Sequence, residues 1–444
     1  MSAAAAALGE RLLGEVSEER LDELLHDLAD QYLQSADAEG NASYLGVKQL
    51  DDLLDIFLDR GKTTTAPAQP STRPEGPEGG EAEDAAGAEV QHPNDRPAEP
   101  TAPPAPNRSQ RQKRLPVLEI SSPSSGAGKT QLLYYLAAIA VLPPAYRGIP
   151  LGGREAAIVL LDSDGRFDAD RLWEVAAGIV QQKVKRTAAD RPEKSGKPEE
   201  EEDADLTSLL HNALQHVHVF RPQSSSALLS TLQTLDGYLF DLNRHVSAAR
   251  PLHAIMLDSA SAFYWQDRLR DEVARTEDIG RSPAEIARDR EQNRSFHLTV
   301  LYRELVAELR RLQTCFDCAI VYTTWGVSRA ASSLPTPYAT LAPGPPSFRP
   351  HLPPPWGTFP TLRLVVQRDA VRPFGPETTV AEAERDAPIR QEVVQRGKFS
   401  AWVDPWGREE WPLSVLNALN RMPERGGFPF WVRREDSSLL PIRR

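Results

Sequence analysis

Cysteine is nearly absent from this 444-residue chain, which contains only Cys315 and Cys318. A single C-x-x-C pair supplies two of the four ligands that a structural zinc site needs, and no Cys/His pair follows it to supply the others. We interpret both residues as small core side chains rather than as a redox pair, because free cysteine is commonly buried. So low a cysteine content is typical of a reducing compartment.

Long apolar stretches are also lacking, since no run of 18 or more apolar residues occurs. A transmembrane helix needs about 20 such residues, so the sequence predicts no membrane partner. The first eight residues contain no basic side chain and no long apolar core, which makes them a poor match to a secretory signal. These features favour a cytosolic or nuclear location.

Basic residues are too few to balance the acidic ones, and the formal net charge is −12. The excess is uneven, because residues 1–100 contain 22 acidic and 7 basic side chains, which leaves a net charge of +3 on the rest. An acidic protein is in general a poor match to nucleic acid, but the larger part of this chain is slightly basic. Charge alone therefore leaves the partner open.

Proline is abundant, with 38 residues, of which 20 lie in two stretches. Residues 61–112 are rich in Thr, Pro, Glu, Gly and Ala, a composition that predicts a disordered insert. Residues 331–360 are rich in Ser, Pro and Ala, and we expect an irregular loop there. These stretches divide the chain into a helical N-terminal region (1–60), the insert (61–112), a core (113–330), the Pro-rich loop (331–360) and a C-terminal part with strands and an aromatic tail (361–444).

Apolar runs typical of buried strands alternate with helical patterns between residues 115 and 324. This alternation predicts an α/β fold with a mainly parallel sheet and helices on both faces. Further along the chain, residues 361–367 and 398–403 predict a C-terminal β-hairpin with a long loop.

The stretch 115–136 reads as a short strand, a loop of small residues and an apolar helix, the order that a phosphate-binding loop requires. Its backbone N–H groups and helix N-terminus would converge on an anion, so the chain is predicted to bind ATP and Mg²⁺. Pro123 stands where the strict motif has its first glycine, and its fixed φ and missing N–H require a different first turn. A polar turn before a buried helix is the less favoured alternative. The candidate nucleotide-binding residues are Ser124, Ser125, Gly126, Ala127, Gly128, Lys129 and Thr130.

Three acids, Asp162, Asp164 and Asp258, follow predicted strands, and ligands gather at the carboxyl ends of strands in open parallel sheets. Asp258 closes an apolar run well after the phosphate loop, as does the carboxylate that orients Mg²⁺ or its water shell in nucleotide sites. Asp164 could polarise an attacking water, and an equally simple role is to cap the helix that follows.

Together with the runs 257–268 and 322–324, these residues resemble the paralogues of RecA-type recombinases. The resemblance covers roughly residues 43–404 with gaps, and the run 257–268 is its most specific part. It implies a RecA-like P-loop ATPase core and a nuclear role in homologous-recombination repair of double-strand breaks and in replication-fork protection. The implied partners are other RecA-like paralogues in a heteromeric complex, and single-stranded or branched DNA, where the complex assists recombinase filament assembly.

Carried over by position, the resemblance assigns the phosphates to Lys129 and Thr130, the metal to Thr130 and Asp258, and catalysis to Asp164. Asp164 replaces a glutamate and is one methylene shorter, and misplacing a water by about 1 Å can cost on the order of 10²-fold in rate. Trp325 stands where a polar sensor is expected. We therefore expect nucleotide binding with at most a weak DNA-dependent ATPase activity.

Three residues in the most specific run, Tyr264, Trp265 and Arg268, are candidate DNA contacts, because bases stack on aromatic side chains. For the aromatic residues we favour the alternative, that they only pack against the neighbouring helix. Two other functions stay open. One is a non-catalytic scaffold with a vestigial nucleotide site, and the other is a P-loop kinase for a small molecule.

Overall fold

The computed structural model describes residues 43–58, 115–190, 199–277, 279–291, 297–328, 347–350, 352–369, 374–375, 377–395, 397–432 and 437–438. The insert predicted over 61–112 lies outside the described residues, as do most of the N-terminal region and the first part of the loop predicted over 331–360. Among the helices of the described part, none combines the length and the apolar composition needed to span a membrane.

The helices and strands alternate along the chain. The helices are α1 (Lys48–Leu58), α2 (Lys129–Val141), α3 (Ala169–Asp190), α4 (Glu199–Leu214), α5 (Ser225–Phe240), α6 (Tyr264–Glu277), α7 (Pro283–Glu291), α8 (Leu298–Phe316), α9 (Val380–Gln395) and α10 (Leu413–Arg421). The strands are β1 (Val117–Ser122), β2 (Ala145–Tyr146), β3 (Ile149–Pro150), β4 (Ala157–Asp162), β5 (Val217–Phe220), β6 (Leu252–Asp258), β7 (Ala319–Trp325), β8 (Val327–Ser328), β9 (Phe348–Arg349), β10 (Leu362–Arg368), β11 (Lys398–Val403), β12 (Phe428–Val432) and β13 (Ser437–Ser438).

One large sheet organises the described residues, in the order β13-β12-β11-β10-β1-β7-β6-β4-β5. The strands from β10 to β5 pair in parallel, and β11, β12 and β13 continue the sheet in antiparallel fashion. The predicted α/β fold with a mainly parallel sheet is confirmed and is consistent with a RecA-like core. The predicted hairpin is also present as β10 and β11, and the aromatic tail extends it through β12.

Helices cover both faces of the sheet, which explains why its strands are continuous apolar runs. Ile158 and Leu160 of β4 lie in one hydrophobic core with residues of α1 to α4, whereas Val159 and Leu161 lie in a second core with residues of α5 and α8. Successive side chains of a strand point to opposite faces, so a strand between two cores must be apolar at every position. The two hydrophobic cores therefore pack against the central strands from opposite faces of the sheet.

The two cysteines lie in different environments. Cys318, just before β7, is buried, whereas Cys315, in the last turn of α8, is exposed. The prediction of two core residues is therefore correct for Cys318 and wrong for Cys315. The reason is the helix geometry at this turn, where Phe316 takes the position that packs against the second core.

The described end of the predicted Pro-rich loop takes part in the fold. It contains β9 and a 3₁₀ turn at Trp356–Thr358, and Trp356 and Phe359 are buried in the second core. The ring of Tyr322 on β7 lies 5.0 Å from that of Trp356 and 5.8 Å from that of Phe359. This part of the stretch is thus anchored by aromatic packing, which its Ser, Pro and Ala content did not indicate.

A buried acid, Glu119 of β1, ties the three central strands together. Its carboxylate accepts hydrogen bonds from Thr324 Oγ1 at 2.7 Å, Tyr322 Oη at 3.2 Å and Arg363 Nε at 2.8 Å. A buried charge that loses its partner costs several kcal/mol, about 3–5 by comparison with other proteins. The network therefore ties β7 and β10 to β1, which lies between them.

Two buried histidines share one serine near the outer edge of the sheet. Ser247 Oγ lies 2.8 Å from Nδ1 of His216 and 2.9 Å from Nε2 of His218, whose Nδ1 lies 3.0 Å from the Tyr238 hydroxyl. Burial lowers the pKa of each histidine to about 4, and the neighbouring His245 acts in the same direction. The neutral forms are therefore the ones that fit the folded state.

We predict that the protein loses stability as the pH falls from about 6.5 to about 4. The unfolded chain takes up protons near pH 6.5, whereas His216 and His218 resist protonation until about pH 4. Each contributes at most about 3 kcal/mol to this loss. His218→Gln should flatten the pH dependence of the unfolding free energy, measured by denaturant titration. His211→Gln, at an exposed position of α4, is the control, and equal slopes in both variants would contradict the prediction.

Candidate nucleotide-binding site

The turn between β1 and α2 depends on two glycines. Gly126 has φ 71° and Gly128 has φ 96°, both in the left-handed region where a side chain is strained. A Cβ atom on Gly128 would lie 3.0 Å from the ring of Phe399 and 3.2 Å from that of Phe430, whereas one on Gly126 would meet nothing within 4 Å. Gly128 is therefore required both by its backbone conformation and by the close approach of β11 and β12.

The first residues of α2 face the carboxyl end of β6. Thr130 Oγ1 donates a hydrogen bond of 2.7 Å to Asp258 Oδ2, and Thr323 of β7 donates to the other oxygen of the same carboxylate. Asp258 and Thr323 are buried, so the carboxylate is held in a fixed orientation. A hydroxyl and a carboxylate in contact, beside a lysine, are the protein groups that hold Mg²⁺ together with phosphate oxygens.

Lys129 is surrounded by groups from three elements. Its Nζ donates a hydrogen bond of 2.6 Å to Ser122 Oγ, and it lies 4.9 Å from the ring centroid of Trp325. Burial lowers the pKa of Lys129, and the carboxylates of Asp258 and Asp164 oppose that shift. The site therefore keeps one cation close to two acids, at the place where a terminal phosphate would add further negative charge.

The two acids at the end of β4, Asp162 and Asp164, differ in what they contact. Asp162 is buried and accepts hydrogen bonds from the backbone N–H groups of Arg166 and Phe167, at 3.0 and 3.1 Å, and from Arg221 Nε at 3.2 Å. Asp162 thus holds the loop. Asp164 is exposed, and its own N–H donates to the backbone oxygen of Asp258 at 3.1 Å.

The carboxyl of Asp164 interacts electrostatically with Asp258 and Lys129 of the candidate site. The surrounding loop partly desolvates it and raises its pKa, the Asp258 carboxylate adds to that rise, and Arg166 and Lys129 oppose it. Asp164 therefore lies where an acid can interact with groups held at Lys129. Its catalytic role stays a prediction.

The partners of several residues at this edge escaped the sequence reasoning. Ser122 binds Lys129, Thr323 binds Asp258, and Arg221 binds Asp162. Each pair joins residues of different elements, and a lone serine, threonine or arginine carries no signal that names its distant partner. Only the position of Thr323 at the end of an apolar run placed it at the correct edge of the sheet.

The candidate DNA contacts lie on α6, the helix that follows Asp258. Its buried face carries Asp267, which accepts hydrogen bonds from Ser225 and Tyr302. Trp265 lies two positions before this acid, on nearly the opposite face of the helix. Its side chain therefore faces outward and is 63% exposed. The guanidinium of Arg268 lies 5.6 Å from the Trp265 ring centroid.

The outward face of α6 is wider than the sequence candidates. Leu269 and Val273 follow Trp265 at intervals of four residues and are also exposed, at 62% and 49%. Tyr264 is half-buried and packs against the second core, so it takes the packing role that we considered for these aromatic residues. Trp265 and Arg268 remain accessible to a ligand.

Comparison with known proteins gives a consistent family resemblance. No family model matches the chain. The DNA repair protein XRCC2 homologue of Arabidopsis thaliana is 26% identical over 275 residues, which covers 57% of this chain and 69% of the plant protein. The DNA repair protein XRCC2 of Mus musculus is 27% identical over 154 residues, which covers 34% of this chain and 42% of the mouse protein. The chain therefore resembles XRCC2 proteins, and this confirms the predicted resemblance to RecA-type recombinase paralogues.

The two glycines give a matched test of the loop geometry. Both Gly126→Ala and Gly128→Ala place a side chain in the left-handed region, at a cost of roughly 1–2 kcal/mol. Gly128→Ala should lower the unfolding free energy by about 1 kcal/mol more, because its methyl group also crowds Phe399 and Phe430. Denaturant unfolding of both variants measures this difference, and equal losses would show that the loop does not pack against β11 and β12.

Proposed function

We propose that this protein binds ATP and Mg²⁺ and acts in DNA repair by homologous recombination, as a subunit of a complex of RecA-like recombinase paralogues. The observation that carries the proposal is the contact between Thr130 and Asp258, 2.7 Å apart and next to Lys129, in a chain that resembles XRCC2 DNA repair proteins. We place this activity in the nucleus, where recombinational repair takes place.

The residues of the site fit a nucleoside triphosphate with its metal. Backbone N–H groups of residues 124–130 would bind the phosphates, Lys129 would neutralise the terminal ones, and Thr130 with Asp258 would hold Mg²⁺. Bound ATP and Mg²⁺ supply a triphosphate whose presence or cleavage can change how subunits assemble. Asp164 would orient a water molecule, and because its side chain is shorter than glutamate we propose that turnover is slow.

A scaffold subunit with a vestigial nucleotide site is the second candidate. The indole of Trp325 lies over the ammonium of Lys129, which a phosphate must also reach, and this observation favours weak or dispensable nucleotide binding. The two candidates agree on assembly with paralogues and differ in whether Lys129 matters for it.

Lys129→Ala should weaken ATP binding at least about 10-fold, because it removes the cation that the phosphate loop presents to the terminal phosphates. Isothermal titration of ATP with Mg²⁺ into the full chain measures the dissociation constant. Lys48→Ala, at an exposed position of α1, is the matched control and should bind like the wild type. Equal affinity in the two variants would contradict ATP binding at this loop.

The same variants decide between the two candidates when they are purified with a tag from cells with damaged DNA. We expect the wild type to recover other RecA-like paralogues and Lys129→Ala to recover less of them. Unchanged recovery with Lys129→Ala would favour the scaffold. If the wild type recovered no such paralogue, the proposed complex would be wrong.

We also propose that the outward face of α6 contacts single-stranded DNA through Trp265 and Arg268, with Tyr264 packed behind them. Stacking on an aromatic side chain contributes about 1–3 kcal/mol per base, so Trp265→Ala should weaken binding by about 5-fold or more. Fluorescence anisotropy with a labelled oligonucleotide measures the loss. Phe240→Ala, at an exposed aromatic residue of α5, is the control, and equal effects of the two changes would exclude a specific role for Trp265.

A further inference from the structure

The ammonium of Lys129 is engaged by two groups that the nucleotide site does not require. Ser122 Oγ accepts its hydrogen bond at 2.6 Å and in turn donates one of 2.8 Å to the backbone oxygen of Ser124. The ring centroid of Trp325 lies 4.9 Å from Nζ, within the distance of about 6 Å at which a cation is attracted to an indole. Both contacts are made by the same ammonium group that would bind a phosphate.

Backbone hydrogen bonds fix Trp325 at the end of β7. Trp325 pairs with Ser122 across β1 and β7, and its N–H donates to Ser261 Oγ at 3.2 Å. The next residue, Gly326, donates its N–H to the backbone oxygen of Ser122 at 2.8 Å. The side chain itself is 40% exposed, so its contact with Lys129 is not explained by burial in a core.

We infer that Trp325 restrains Lys129 and lowers the affinity of the site for nucleoside triphosphates, an inference that rests on the proposed ATP binding. The ring and the terminal phosphates attract the same ammonium, so binding of the phosphates must weaken its contact with the indole. Trp325 is in this sense a positioning residue that sets affinity through Lys129. It takes no part in the chemistry of the phosphates.

The restraint is electrostatic, and its strength should depend on the ring. Indole attracts a cation more strongly than a phenyl ring does, and an aliphatic side chain lacks the attraction altogether. Removing the ring leaves Ser122 and the two acids near Lys129 in place, so the other contacts of the lysine are kept. The affinity should therefore rise in the order Trp325, Trp325→Phe and Trp325→Leu.

Titration of a fluorescent ATP analogue with Mg²⁺ into the full chain tests this order. Trp325→Leu should bind about 2- to 10-fold more tightly than the wild type, and Trp325→Phe should lie between them. Trp406→Leu, a change of the half-buried tryptophan after β11, should leave the affinity unchanged. In the Lys129→Ala background, Trp325→Leu should have no effect, since a restraint that acts through Lys129 disappears with it.

Intrinsic fluorescence gives a second readout that a merely structural role would not produce. Addition of a non-hydrolysable ATP analogue should change the tryptophan emission of the wild type and of Trp406→Leu, and this change should be lost in Trp325→Leu. Circular dichroism confirms folding of each variant. If Trp325→Leu did not fold, the milder Trp325→Phe would decide by its gain in affinity.

The outcomes separate this inference from the proposed function. Lys129-dependent binding by the wild type with equal or weaker binding by Trp325→Leu would overturn the restraint and leave ATP binding standing. Absence of binding in both proteins would overturn the two together. Binding that is measurable only in Trp325→Leu would support the restraint in its strongest form.

Discussion

The contact of Asp258 with Thr130 and Thr323 is the interaction on which the arrangement of the site depends. It joins the start of α2 to the ends of β6 and β7, elements that lie far apart in sequence. Because β7 lies between β1 and β6 in the sheet, one carboxylate can reach both threonines only if all three strands end at the same level. Parallel pairing and the apolar cores on both faces maintain that level.

One cation and two acids lie at this contact. Lys129 faces two acids and a polarisable ring, and burial weakens its preference for the charged form. The proposed binding of ATP with Mg²⁺ would add a second cation to this cluster, which would offset the charge of the two acids and of the phosphates. The pKa of Asp164 is raised mainly because its surroundings partly desolvate the carboxyl, and the nearby Asp258 carboxylate adds to the rise.

Prediction from sequence succeeded where the signal was local. The alternation of apolar runs and helical patterns identified the parallel sheet, and the order of strand, small-residue loop and helix identified the turn at Gly126 and Gly128. It failed or was silent where burial depends on the face of an element. Cys315 was assigned to the core although its turn of α8 faces solvent, and the outward face of α6 was recognised only in part. Helical periodicity alone does not say which face meets the sheet.

The sequence by itself determined which segments form the glycine turn at Gly126 and Gly128 and its flanking strand and helix, because backbone freedom, turn chemistry and periodicity act over a few residues. Only the tertiary structure decided which side chains meet Lys129. Ser122, Asp258 and Trp325 come from three strands, and the order of those strands in the sheet brings them together. Strand order is settled by packing of the whole chain, so no short pattern around Lys129 contains it.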